Sequence, residues 1–288
     1  MSRLLVAAIF IAIPVLTLCQ QAQAATEQDA SFDSLMVDIN VLSNSDIEIT
    51  ETQKYSFLSG NFHYGYRWIP LDAVDSIDAI QVYEDGHPYV LDPAVRQWID
   101  DCQKAGEFPD ENCYAYYTWT EGDNLWIGWW YPETKGGSRI FEIKYTVHGG
   151  LWFHEDGYQL YWQAIFSDRD MAIGSAKVTV HLPEPVSSTQ LFIDSYGMEA
   201  HSSIVDDRTI EFTTGSVPDN TGLNIRVIFP HDIINTVPFD VGQTRGVGEW
   251  LVSVWAGLGA AFVLGGVLSL VVIRRRHTNP FGGPGYQD

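Results

Sequence analysis

Apolar side chains recur at every second position over much of this chain. Leu35, Val37, Ile39 and Val41 share one parity, as do Phe141, Ile143, Tyr145 and Val147, and again Val178, Val180 and Leu182. A strand turns successive side chains to opposite faces, so such rows describe strands with one face in a core and the other in water. Further strands are expected over 46–57, 63–69, 77–83, 113–120, 125–131, 158–166, 190–195, 208–213 and 223–229. Turn signals separate them at Glu121-Gly122-Asp123-Asn124, Gly136-Gly137, Gly149-Gly150, Leu182-Pro183 and Asp219-Asn220. No helical stripe of useful length is expected among them. About a dozen short strands without crossover helices predict an all-β domain, an antiparallel β-sandwich of Ig-like or extended form. A weak internal boundary is expected at 183–189, PEPVSST, where the apolar density drops.

The two ends read differently. Arg3, an apolar run from Leu4 to Cys19, and then Ala22-Gln23-Ala24 make residues 1–24 an export signal with a small-x-small cleavage site. Lipidation of Cys19 is disfavoured by Leu18, which stands where a small side chain is wanted. Trp250 to Ile273 is a run of 24 residues without a charge, long enough to cross a hydrocarbon core of about 30 Å as a helix. Arg274, Arg275 and Arg276 follow it, so the positive-inside rule predicts a single-pass protein with its C-terminus in the cytoplasm. Gly257, Ala261 and Gly265 line one face of that helix and would admit a close-packed neighbour, a second copy or a multi-span partner. The organisation expected is therefore signal 1–24, extracytoplasmic β-domain 25–234, stalk 235–249, transmembrane helix 250–273 and a Pro/Gly-containing tail 274–288 that is not expected to carry a catalytic domain.

Charge narrows the partners. Of 37 acidic residues only Asp288 lies outside 25–249, while four of the 16 basic ones do, leaving 36 acids against 12 bases in the exported part. That field opposes a nucleic-acid backbone and keeps the surface soluble. The acids show no calcium-loop spacing, and Asp100-Asp101 and Asp206-Asp207 read as solvated turns. After export two cysteines remain, Cys102 and Cys113, and an oxidising compartment predicts a disulfide between them.

Short motifs with known chemistry are missing: there is no G-x-S-x-G, H-E-x-x-H, P-loop or C-x-x-C. No catalytic residue, metal ligand or cofactor is expected. Glu155-Asp156 and Asp168/Asp170 are paired carboxylates of the kind a hydrolase uses, but here they read as turns. His63, His148 and His154 could meet at a metal only if three strands converged. Arg67, alone between Tyr66 and Trp68 in a strand-like run, has two readings. It could bind a ligand carboxylate or an aromatic ring, or it could be buried in a structural pair with an acid such as Glu51 or Asp156, the weightier reading. Trp119, Trp126 and Trp130 fall in one predicted hairpin, with Tyr116, Tyr117, Trp129 and Tyr131. Exposed, they form a platform for sugar rings or partner side chains; buried, they are core, and aromatics favour strands in any case.

The runs DIEITETQKYSFLSGNFHYGYRWIPL, FEIKYTVHGG, DGYQLYWQAI and AKVTVHLPEP closely resemble the N-terminal domain of the YciQ-like predicted membrane proteins, a domain of unknown function (DUF2207). The resemblance extends from about Phe32 to Ile234. Its most specific pieces are Tyr66-Arg67-Trp68-Ile69-Pro70, similar to the family's G-x-x-R-x-I-P-L signature, and Leu160-Tyr161-Trp162-Gln163, similar to L-Y-W-N with Gln163 in place of Asn. The family commonly has a larger C-terminal part, and 102–113 looks like a local insertion. The resemblance implies an extracytoplasmic β-domain on a membrane anchor, with no assigned reaction. An envelope protein or a glycan is the partner class expected for it, beside the bilayer itself. Mass spectrometry of the mature chain is expected to read Ala25 as its first residue; retention of 1–24, or a lipid on Cys19, would contradict the export reading.

Overall fold

The computed structural model describes residues 29–105, 113–154 and 156–235. In chain order the elements are β1 (Asp29–Val41), β2 (Ile47–Ser59), β3 (Phe62–Pro70), β4 (Ser76–Glu84), β5 (His87–Pro88), β6 (Val90–Leu91), α1 (Ala94–Ala105), β7 (Ala115–Glu121), β8 (Asn124–Thr134), β9 (Gly137–His148), β10 (Leu151–His154), β11 (Gly157–Ile165), β12 (Ile173–His181), β13 (Phe192–Tyr196), β14 (His201–Ile204), β15 (Thr209–Thr214) and β16 (Leu223–Phe229). They form a large sheet, β14-β15-β12-β1-β2-β9-β4-β5, and two four-stranded sheets, β3-β8-β7-β6 and β10-β11-β16-β13. The described chain is all-β around one helix.

The alternation does what the sequence requires of it. Leu35, Val37, Ile39 and Val41 are buried on β1, as are Phe141, Ile143, Tyr145 and Val147 on β9 and Leu223, Ile225, Val227 and Phe229 on β16. One core joins them across the three sheets with Ile127 and Trp129 of β8 and Leu160 and Trp162 of β11. Rings make the contact between sheets: Trp129 and Tyr131 of β8 lie 5.5 and 5.1 Å from Phe141 of β9, and Trp162 of β11 lies 6.4 Å from Tyr145. The turn between β7 and β8 is the one expected, with Glu121 paired to Asn124. Gly122 has φ +59° and Asp123 a negative φ, the arrangement of a two-residue II′ turn whose first position favours glycine.

Several expectations need correction. The sheets are not wholly antiparallel, because β1 pairs with β12 in parallel and β6 with β7 likewise. The β1–β2 hairpin uses one edge of β1, and its other edge is filled by a strand that returns after a long excursion, which leaves direction unconstrained. A helix also stands where none was expected. Asp92 Oδ1 accepts the Ala94 N–H at 2.9 Å, and Val95, Ile99 and Cys102, spaced as one helical face, are buried. Asp100 and Asp101 are thus helical and not in a turn. The structure shows no bridge between Cys102 and Cys113: Cys102 turns with Val95 and Ile99 to the buried side of α1, and Cys113 is half-buried just before β7.

The chain stays attached past its last strand. Ile233 and Ile234 are buried, and the Asn235 N–H donates to Ser43 O at 2.6 Å. No helix among the described residues is long and apolar enough to cross a membrane. The signal 1–24, Glu155 and the 250–273 segment with Gly257, Ala261 and Gly265 lie outside the described residues.

One end of the large sheet is closed by a clasp. His148, at the end of β9, holds Asp46 Oδ1 at 2.7 Å through Nδ1 and Asp78 Oδ1 at 3.1 Å through Nε2. The hydrogen bonds to the Asp46 and Asp78 carboxylates raise its pKa above the ordinary histidine value. A raised folded-state pKa means stabilisation fully present below the unfolded value, about 6.5, and lost as pH climbs through the folded value. The imidazole is 32% exposed, so water screens part of the effect. Thermal unfolding at pH 6 and pH 9 is expected to show a loss of stability at the higher pH that is smaller in His148→Gln; an equal loss in both would remove the clasp from the account.

Candidate functional site

The sheet β3-β8-β7-β6 carries nearly all the residues singled out from the sequence, on two faces with different chemistry. Its inner face holds Arg67, between the buried Ile69 and Gly65. A Cβ on Gly65 would come within 2.3 Å of the Trp129 ring, so only hydrogen leaves room for that indole.

Arg67 is 1% exposed and its partner, of the two acids considered, is Glu51 on β2. Nε lies 3.0 and 2.9 Å from the two carboxylate oxygens, and Nη1 donates to the Trp68 carbonyl. Glu51 also accepts from the Tyr145 hydroxyl of β9 at 2.8 Å and from Gln53 Nε2 at 3.2 Å, and Tyr55 donates to Gln53 Oε1 at 2.9 Å. The guanidinium lies 4.6 Å from the centroid of Phe166, the residue after β11. One ion pair therefore touches all three sheets. Burial by itself lowers the Arg67 pKa, but the Glu51 carboxylate and the Tyr145 hydroxyl together more than offset it, leaving it above the ordinary arginine value. Burial, then Glu51, drives the Tyr145 phenol strongly upward, so it stays protonated and serves as a donor.

The outer face is a run of aromatic rings. Trp119 and Trp126 face each other across β7 and β8, centroids 5.3 Å apart and planes 16° from parallel, and Tyr117 stacks on Trp119 at 5.3 Å. Tyr66 and Trp68 of β3 lean on Trp126 at 5.9 and 6.3 Å. The Arg96 guanidinium of α1 lies 4.6 Å from the Trp119 ring. Deeper along the face, Trp130 is fully buried: His63 stacks on it at 5.4 Å, Tyr64 at 6.3 Å, and Trp98 of α1 meets it edge-on at 5.2 Å. Tyr117 lies over Gly128, where a Cβ would come within 2.7 Å of the ring. Thus Trp130 and Tyr117 are buried, while Tyr66, Trp68, Trp119, Trp126 and Arg96 are half-exposed. Burial pushes the Tyr64 and Tyr117 phenols well above their ordinary value.

Sequence reasoning missed two parts of this site. Helix α1 covers one end of the aromatic row through Arg96 and Trp98; its signal was Asp92-Pro93 before Val95, Ile99 and Cys102. Gln53 shares the core-facing side of β2 with Glu51, which the sequence had offered as one of two acids for Arg67; the signal for Gln53 was a polar pair in the parity of Ile47 and Ile49. The three histidines do not converge: His63 is on β3 against Trp130, His148 in the clasp on β9, and His154 at the end of β10, where its carbonyl accepts from His231 at 2.7 Å. Asp168 and Asp170 are exposed in the β11–β12 connection. Arg67→Ala is expected to cost about 3–5 kcal/mol, because it strands a buried carboxylate, while the double replacement Arg67→Met with Glu51→Leu should cost clearly less. Denaturant unfolding measures both; a single mutant no worse than the double would show that the pair does not hold the sheets.

None of the curated proteins matches the chain. Among solved structures, similarity is distant. An M1 zinc metallopeptidase from Deinococcus radiodurans is 9% identical with a TM-score of 0.36, over 70% of this chain and 43% of that one. A candidate nutrient binding protein from Legionella pneumophila is 8% identical with a TM-score of 0.39, over 69% and 67%. Yeast LTA4 hydrolase is 11% identical with a TM-score of 0.40, over 69% and 29%. The chain spans less than half of the metallopeptidase and of the hydrolase. A family model matches residues 31–229, most of the chain and all but its outermost described residues. The chain belongs to the family described as predicted membrane protein (DUF2207) N-terminal domain, whose function is not assigned.

Proposed function

We propose that this protein is an exported recognition module: a β-sandwich-type domain, released from a signal at 1–24, carried on a single helix at 250–273, and engaging a protein partner of the cell envelope without catalysis. The observation that carries the reading is the half-open end of the aromatic row, where Tyr66, Trp68, Trp119, Trp126 and Arg96 reach the surface together. Tryptophan, tyrosine and arginine are the residues in which binding energy concentrates at protein interfaces. The buried half, locked by α1, would keep the exposed half pre-organised, so that little ordering entropy opposes association.

Ring orientation favours a protein over a glycan at this place. A sugar stacks on a free ring face, whereas the faces of Trp119 and Trp126 are directed at each other and at Tyr117 and Arg96. The strong negative charge of the exported part favours a partner with basic groups around an apolar centre. A small-residue face at Gly257, Ala261 and Gly265 would add a contact within the membrane, with a second copy or a multi-span subunit.

Affinity capture of the full chain from mild-detergent membranes, beside Trp126→Ala and Trp68→Ala, tests this. Retention of the same stoichiometric partner by the wild type, with about tenfold or greater weakening in either variant, is the expected result. A partner held equally by all three places recognition elsewhere, and wild-type binding to a glycan array that Trp126→Ala abolishes would replace the protein partner with a sugar.

A further inference from the structure

The interior holds a second guanidinium in addition to that of Arg67, and this one forms no ion pair among the described residues. Arg169 lies in the connection between β11 and β12 and is 6% exposed. Its backbone is fixed on both sides: its N–H donates to Ser167 O at 3.0 Å, and its carbonyl accepts from the Asn220 N–H at 3.0 Å. Its Nη2 donates to the Pro218 carbonyl at 2.7 Å, but Nε and Nη1 have no acceptor among the described residues. The carboxylate that acts on it, Asp219, is exposed and accepts from Asn220 Nδ2 at 3.3 Å. Burial lowers the Arg169 pKa, and Asp219 and Tyr55 oppose this only in part.

The charges make the point sharper. Arg67 and Glu51 neutralise each other inside the domain, and Arg139 with Glu84 do so near its edge. Among the described residues Arg169 has no such counterpart, and its field reaches the same seam, since it acts on Tyr55, which is bonded through Gln53 to Glu51. A buried guanidinium with open donors is costly unless an anion meets it. Its planar fork also matches carboxylate and phosphate oxygens better than any other side chain does. Nη2 keeps a second hydrogen beside the bond to Pro218, so together with the unpartnered Nε or Nη1 it can offer two donors to one oxyanion.

We propose that Arg169 anchors a small-anion site where the β11–β12 connection meets residues 218–220, and that its ligand presents an oxyanion, a carboxylate or a phosphate. The site stands apart from the outer aromatic row and is independent of the partner-binding reading. Residues 218–220 supply a carbonyl and a turn that hold the guanidinium in place, and the ligand supplies the charge that the fold omits.

The test is thermal unfolding of the full chain in mild detergent, followed by tryptophan fluorescence, in rising phosphate or acetate against chloride of equal ionic strength. The wild type is expected to show a saturable rise in Tm of about 3–5 °C at about ten times the dissociation constant. Arg169→Met should show none, and in chloride it should melt no lower than the wild type, because it replaces an unpaired charge by an apolar side chain. A response to phosphate alone assigns a phosphate group to the ligand, and a response to acetate alone a carboxylate. A wild type that behaves in both anions as in chloride overturns the proposal, since water or Asp219 then satisfies the guanidinium; an equal response in Arg169→Met overturns it as well. Should Arg169→Met not fold, Arg169→Lys, which keeps the charge without the fork, is expected to bind about tenfold more weakly; undiminished affinity would overturn the proposal too.

Discussion

The ion pair between Arg67 and Glu51 is the contact on which the arrangement of sheets depends. Its two members come from different sheets, its third donor, Tyr145, from a neighbouring strand, and the ring under the guanidinium from the end of β11. Apolar packing alone tolerates sliding of one sheet on another, because any Val or Ile fits a similar hollow. A buried carboxylate that must meet Arg67 Nε and the Tyr145 hydroxyl at hydrogen-bond distance tolerates almost none. Loss of either partner leaves a charge in the core, so the pair acts more through the cost of misalignment than through its own attraction.

From that fixed point the β3-β8-β7-β6 sheet is held by its inner face and left to present its outer one. Arg67 and Trp129 point inward, and on the same two strands Trp68 and Trp126 point outward, as the pleat demands. Helix α1 then divides the outer face in two. Trp98 seals Trp130, and Arg96 reaches only as far as Trp119. The result is a patch of rings that is rigid because half of it is core.

Particular residues show how much of this could be read from the chain. The row Leu223 to Phe229 placed its strand to the residue and the row Phe141 to Val147 the buried part of a strand that begins at Gly137, because each has one face fully buried and a slip by one would expose all of it. Trp119 and Trp126 could be put on strands but not on a surface, since the same alternation describes an aromatic face under solvent and one under a helix. Helix α1 was hidden by its length and by two-residue strands beside it, which give no period to count. The bond between Arg67 and Glu51 was legible as one of two options, because a lone arginine in a strand asks for an acid without saying which. Arg169 gave no signal: in sequence it stands between Asp168 and Asp170 and looks solvated.

The sequence by itself determined the class of the fold, the positions of its longer strands, its family and the sign of its surface, because period, turn chemistry and charge are local or additive properties. Tertiary structure alone decided which strands are neighbours, including the parallel pairing of β1 with β12, and which acid Arg67 meets. It also decided which half of the aromatic row is open, and that Arg169 is buried while the aspartates beside it are exposed. Those outcomes depend on contacts between residues far apart in the chain, where burial and pairing are set by what the other sheets bring, and no local pattern encodes them.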